Sequence, residues 1–291
     1  MRPEPVSAPR GRAGFTLAEL MVSLVVGGIL VGSVFNFVNG QARMASVQSA
    51  REEVQQNARG ALEIVGTDLR GALRAGLVTA ERQLVELYLP ARWGVVCQSS
   101  ATATVVMFPT DGSAAPGTGD TWGLMVNTSA AGWAPTAASA RATITGVAVV
   151  SATDPAYGCT TLSPGGPVTA YRLTGANHPT NTTAGNVAMV YQRVRYDVAA
   201  GPGGDWIRRS NGVESSGFSM QPLAGPVVTD SVRLRYFAGT TELTPPVASP
   251  STAGITSIRF HVRMASKQQA RSTTGRNYRQ DSVTVQIRNT F

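Results

Sequence analysis

Glu19 is a lone carboxylate inside an otherwise uncharged apolar stretch, residues 15–38, that is long enough to cross a lipid bilayer. A charge within such a helix costs about 2.5–3.5 kcal/mol on insertion scales, so it is expected where a partner or a task compensates it. Pairing with an amine is the chemistry open to it. An amine at the start of one helix and a carboxylate one turn into another are each costly in lipid, and they offset each other when two chains pack in register. The plainer alternative is an interfacial charge on an ordinary membrane anchor. The other chemistry-bearing residues are sparse. His178 has no carboxylate near it in sequence, His261 alternates with arginines, and neither has metal-ligand spacing with Cys97 or Cys159. Asp111 and Asp120 bracket a glycine-rich loop with room for calcium, but the alternating oxygen ligands of an EF-hand are missing. There is no phosphate loop, dinucleotide fingerprint or nucleophile elbow. The chain is therefore expected not to be an enzyme and to need no cofactor or metal.

The leader before Glu19 carries Arg2, Arg10 and Arg12 against Glu4, with Pro3, Pro5 and Pro9 and no apolar run. An ordinary secretory signal puts its apolar region before the cut; here the order is reversed. Gly14-Phe15-Thr16-Leu17-Ala18-Glu19-Leu20, after a basic leader and before a long apolar helix, resembles the class III leader of type IV prepilins. The resemblance implies that a prepilin peptidase cuts after Gly14, that Phe15 becomes the N-methylated first residue, and that Glu19 meets a neighbouring subunit's terminal amine during assembly. Where many pilins have a mid-helix proline, this chain has Gly27, Gly28 and Gly32, so any kink there would have to come from glycine.

These residues need a long helix to carry them. No proline occurs between Arg10 and Leu89, which permits one helix from residue 15 to about 77, on the order of 90 Å long. Beyond Asn39, Met44, Val47, Val54, Ala58, Leu62, Val65, Leu69 and Leu73 recur at helical spacing and make one apolar stripe. Gly60, Gly66, Gly71 and Gly76 suit close packing on a sheet better than a coiled coil. After Gly76 the texture changes to short β-branched and aromatic runs, at residues 83–89, 103–108, 122–126, 142–150, 168–173, 187–198, 206–209, 227–237, 255–264 and 282–287, separated by Gly, Pro, Ser, Thr and Asn clusters. Residues 187–209 read as a hairpin with a long turn at 199–205, and 110–121 and 129–139 as exposed loops. The expected fold is α+β: one long N-terminal helix packed on a C-terminal antiparallel β-sheet domain with long loops. Its parts would be a cleaved leader at 1–14, a transmembrane and filament-core half-helix at 15–39, an amphipathic half at 40–77, and an exported globular domain at 78–291. In such a domain Cys97 and Cys159 are placed to form a disulfide, two buried thiols being the alternative.

Charge is uneven. The formal +8 divides into +2 for residues 1–14, zero for 15–254 and +6 for 255–291. Arg259, His261 and Arg263 alternate with Ile258, Phe260 and Val262, so a half-buried strand presents them on one solvent face. Residues 267–279, with Arg271, Arg276 and Arg279, read as a basic connection to the last strand. Such a segment suits the DNA backbone, an acidic partner subunit, or simply a solvated edge that discourages strand pairing.

Looser resemblance extends further. Thr67-Asp68-Leu69-Arg70, Val194-Arg195-Tyr196, Trp206-Ile207-Arg208-Arg209, Val232-Arg233-Leu234-Arg235-Tyr236 and Ile258-Arg259-Phe260-His261-Val262-Arg263 are similar to the helix end and strand order of PilW-type minor pilins and of the J-type minor pseudopilin of type II secretion. Residues 95–180 have no counterpart there. The resemblance implies a subunit that primes assembly from the bacterial inner membrane and is displayed at or near the tip of a type IV pilus at the cell surface. Its partners would be the prepilin peptidase, the inner-membrane assembly platform, membrane lipid, the major pilin, other minor pilins and a tip adhesin. The alternatives are a minor pseudopilin and a DNA-contacting component of a competence pilus, the latter making nucleic acid a partner.

Overall fold

A computed structural model describes residues 16–72, 76–111, 115–128, 132–135, 141–162, 166–176, 182–212, 218–248, 251–266 and 278–287. Helix α1, Leu17–Gly71, is continuous through Gly27, Gly28 and Gly32. At 1.5 Å per residue its 55 residues span about 80 Å. It ends earlier than its apolar stripe suggests. Ala72 is already extended, and Leu77 opens strand β1, Leu77–Ala80. A Cβ at Gly71 would sit 3.5 Å from the Leu89 side chain, so a crossing strand occupies the space next to the last turn.

The buried stripe of α1 is Ala50, Val54, Ala58, Ala61, Val65 and Leu69. Met44, expected in it, is exposed, and small Ala61 takes the place expected of Leu62, which is only half-buried. Small residues bring the sheet close: a Cβ on Gly66 would lie 3.8 Å from Val283.

The remaining strands are β2 Val85–Ser99, β3 Ala103–Pro109, β4 Thr121–Thr128, β5 Gly132–Pro135, β6 Ala142–Val150, β7 Val168–Ala176, β8 Val187–Gly201, β9 Gly204–Gly212, β10 Gln221–Val227, β11 Arg233–Ala238, β12 Thr241–Leu243, β13 Ser257–Ala265 and β14 Tyr278–Gln286. Every pairing is antiparallel. The 15-residue partners β2 and β8 form a ribbon whose two halves serve different structures. In its first half, Val85–Tyr196 through Leu89–Gln192, β1 and β9 flank it, and the sheet continues through β10, β13 and β11 to β12, with β14 on the far side of β13. This sheet packs on α1. The core between them holds Val65, Leu69, Leu87, Tyr196, Ile207, Leu234, Tyr236, Ile258, Phe260 and Val285.

In the second half of the ribbon, β3 and β4 are the neighbours, and the path β2–β3–β7–β6–β4–β8 returns to β2. Six strands therefore close into a barrel filled by Val106, Phe108, Trp122, Leu124, Ile144, Leu173 and Val190. Closure removes the open edges such strands would otherwise present. Gly94 faces this interior and must be glycine, because a Cβ there would sit 2.5 Å from the Met107 carbonyl and 2.7 Å from Phe108. The described strands within residues 95–180, the span unmatched by the resemblance, belong to this barrel except β5, which pairs with β4. Strand β2 passes Gly71, the end of α1, at Leu89. Val85 lines one cavity with Val65, earlier on α1, so β2 runs toward the helix's carboxyl end and residues 90–99 continue past it into the barrel.

Three strand and loop expectations are corrected as well. Residues 227–237 are not one strand: the chain turns at Val228–Ser231, where Asp230 has φ of +58°, and separates β10 from β11. The hairpin turn at 199–205 shrinks to Pro202-Gly203, because Gly203 at φ of +79° lets the ladder run on to Gly201–Gly204. Within the expected loop 129–139, residues 132–135 form β5 against β4.

Candidate functional site

At the amino end of α1, Gly14 and Phe15 lie outside the described residues. Thr16 is the N-cap, and with Glu19 it forms a capping box. The Glu19 N–H donates to Thr16 Oγ1 at 3.3 Å, and the Thr16 N–H donates to Glu19 Oε2 at 3.2 Å. The Thr16 hydroxyl reaches the same Oε2 at 3.3 Å. A carboxylate in the first turn also complements the positive end of the helix dipole. Glu19 is thus held at the helix start. Downstream, Leu17, Leu24, Val31 and Phe35 are each at least two-thirds exposed, and the most apolar window is wholly unburied within the chain. The helix is long and apolar enough to cross a membrane. Ser23 and Ser33 hydroxyls donate to the Glu19 and Ile29 carbonyls, so their polar groups do not oppose burial in lipid or among other helices.

The other end of α1 is fastened by a charged cluster that sequence reasoning did not assemble. Tyr196 Oη donates to Asp68 Oδ2 at 2.6 Å, Arg209 Nε donates to the same oxygen at 2.9 Å, and Arg209 Nε also donates to Tyr196 Oη at 3.0 Å. Burial, then the Asp68 hydrogen bond, push the Tyr196 phenol far above its ordinary range, so it remains a donor. Its three members come from three separate motifs of the looser resemblance. That coincidence was the available signal, but only folding brings residues 68, 196 and 209 together. Two more ion pairs, Glu86–Arg193 and Asp197–Arg208, brace the β2–β8–β9 strands.

The basic end divides between two faces. On β13, Arg259, His261 and Arg263 point away from the core while Ile258, Phe260, Val262 and Met264 are buried. Across the ladder from β11, Arg235 pairs with Arg259 and Arg233 with His261. Burial and the Arg233 charge both hold His261 below its ordinary pKa. Arg271 and Arg276 lie outside the described residues. Arg279 pairs with Met264, which puts it on the helix-facing side with Val283, and it sits 3.5 Å from Asp281. It is therefore not on the face that carries Arg259 and Arg263.

On the barrel, Cys97 and Cys159 are joined by a disulfide with Cα atoms 4.7 Å apart. It ties the segment after β6, with its 3-10 turns Pro155–Tyr157 and Cys159–Thr161, onto the outer face of β2, β3 and β7, where Val105, Met107, Ala170 and Tyr157 pack around it. Neither aspartate of the glycine-rich loop points to a common ion. Asp111 lies 4.0 Å from Arg92, and Asp120 accepts from the Gly117 N–H at 2.8 Å, with burial raising its pKa. Among the described residues no three metal-ligating side chains cluster. His178 lies outside them.

Residues 9–35 match the family model described as the prokaryotic N-terminal methylation motif. No curated protein and no solved structure matches the chain. The matched segment spans the Gly14–Phe15 junction, Glu19 and most of the exposed apolar half of α1, and such motifs mark structural subunits processed by a prepilin peptidase rather than enzymes. With a methylation motif at its amino end and one long helix laid on a large antiparallel sheet, the chain is type IV pilin-like.

Proposed function

We propose that this chain is a minor pilin that primes assembly of a type IV pilus and occupies a position at or near its tip. The observation that carries the reading is the closed barrel carried beyond the carboxyl end of α1. Helices that bury their apolar halves side by side in a filament core leave little axial room above each globular domain. A lobe projecting past the helix end is accommodated without clash where no subunit follows. Glu19, next to the processed amino terminus, supplies the carboxylate that a neighbouring chain's amine meets, and the pair sets the stagger between helices. Gly14 is the last leader residue and Phe15 the methylated one.

Immunogold labelling of sheared filaments with antibody to residues 95–186 tests the position. A single cluster at one filament end is expected. Label spaced along the shaft overturns the tip assignment, and loss of protein secretion with normal pili in a deletion strain assigns the chain to a secretion pseudopilus instead.

A further inference from the structure

The outward side of β11, β13 and β14 concentrates positive charge in an arrangement that folding alone does not favour. Arg235 opposes Arg259 and Arg233 opposes His261 across adjacent strands, where like charges are destabilising. Its one acidic neighbour among the described β12 residues, Glu242, pairs with Arg235 and also feels the Arg259 charge, so a single carboxylate stands against three arginines of the row beside Arg263 and His261.

The arginines are also oriented. Arg259 and Arg235 lie over the Phe237 ring at 5.7 and 5.9 Å, and Arg263 lies over Tyr278 at 4.8 Å. A guanidinium held over a ring can still donate from N–H groups that the protein leaves unused, which is the chemistry that recognises phosphate. Arg259 further donates to Thr284 Oγ1 at 3.0 Å, which restrains its direction. Around them lie Ser257, Gln280, Ser282, Thr284 and Gln286, so apart from the two rings under the arginines the face is polar. Arg259 and Arg263 are about 13 Å apart along one strand, with Arg233 a strand over. That is a row of donors suited to a linear polyanion rather than to a single carboxylate.

We propose that this face binds the phosphodiester backbone of nucleic acid, with Arg233, Arg259 and Arg263 reaching the phosphates and Tyr278 positioning Arg263. The assignment does not depend on the filament reading. Its determinants differ from those suggested by the charge of residues 267–279, since Arg279 belongs to the opposite face.

The test is fluorescence polarisation of a random-sequence duplex of about 20 base pairs with the full chain in detergent, titrated between about 50 and 200 mM salt. Affinity should fall with salt, and the combined variant Arg233→Gln/Arg259→Gln/Arg263→Gln should flatten the log–log slope by about 0.9 for each phosphate that is no longer neutralised. Arg43→Gln/Arg51→Gln/Arg59→Gln, which removes the same charge from exposed positions of α1, should bind as the unaltered chain does. Glu242→Gln frees Arg235 and should tighten binding several-fold, a gain that a purely structural face would not produce. If the triple face variant fails to fold by circular dichroism, Arg263→Gln and Glu242→Gln decide alone. No binding at low salt, an unchanged slope in the face variants, or fluorescent polyglutamate binding as tightly as the duplex would each overturn the proposal, the last in favour of an acidic protein partner.

Discussion

In the proposed role Gly14 and Glu19 act at separate steps, and single substitutions distinguish them. On that reading a side chain at Gly14 would obstruct the peptidase subsite beside the scissile bond, so Gly14→Val should leave the full-length precursor in the membrane on immunoblots. Complete processing of that variant would remove the basis for the cleavage site. Glu19→Ala should be cut normally and yet be missing from sheared filaments, because its helix enters lipid more easily but has nothing to hold a neighbour's amine. Wild-type incorporation would reject the pairing role. Helix formation itself should tolerate the change, since losing half of a capping box costs about 0.5–2 kcal/mol in a helix of 55 residues. At the other end, Asp68 accepts from both Tyr196 and Arg209, and both donors are left in a half-buried site if it is removed. Asp68→Ala should cost about 2–3 kcal/mol in urea unfolding. Tyr196→Phe, which removes only one donor, should cost about 1 kcal/mol. Equal losses would show that the cluster does not act through Asp68.

Among the elements, the β2–β8 ribbon is decisive, because each of its strands serves the helix-covered sheet in one half and the barrel in the other. The disulfide lies wholly on the barrel side. Its Cys97–Cys159 link closes a loop with a sequence separation of 62, and the chain-entropy relation gives about 4 kcal/mol for a loop of that size. Cys97→Ser/Cys159→Ser should therefore unfold the barrel at lower temperature, read by loss of the near-ultraviolet signal of buried Trp122. The helical far-ultraviolet signal of α1 should persist to the original midpoint. A single joint transition would mean that the two lobes fold as one unit. Strand boundaries show how local chemistry overrides texture. Val227 to Phe237 has apolar residues at both ends of one run, yet its polar Thr229-Asp230-Ser231 segment turns and divides it.

For the whole molecule, the barrel is an insertion whose ends already pair. Val95 and Val187 are cross-strand partners, so replacing residues 96–186 with an Asn-Gly turn should close a plain hairpin. The shortened chain should still insert, be processed and pack α1 on its sheet, as judged by protease resistance of that core. Failure to fold would show that the barrel is part of the core rather than a carried module.

The amino-terminal methylation motif was legible from sequence because it is linear: the residues proposed for cleavage, methylation and the lone carboxylate lie within about a turn of each other. The long helix and the β texture were equally legible, since the 3.6-residue and two-residue periods are local consequences of burying one face. Even the outward arginines of β13 followed from alternation. Tertiary structure alone decided what depends on partners distant in the chain. The closed barrel needs β2 to find β8 across about 100 residues, and nothing in either strand's own pattern distinguishes a neighbour in a barrel from one in an open sheet. The Asp68–Tyr196–Arg209 cluster joins residues 128 and 141 positions apart. The placement of Arg279 turned on register, where a shift of one residue exchanges the two faces of a strand. Net charge read along the chain cannot contain that information, because the sign of a segment is a sum and the face of a residue is set by its pairing.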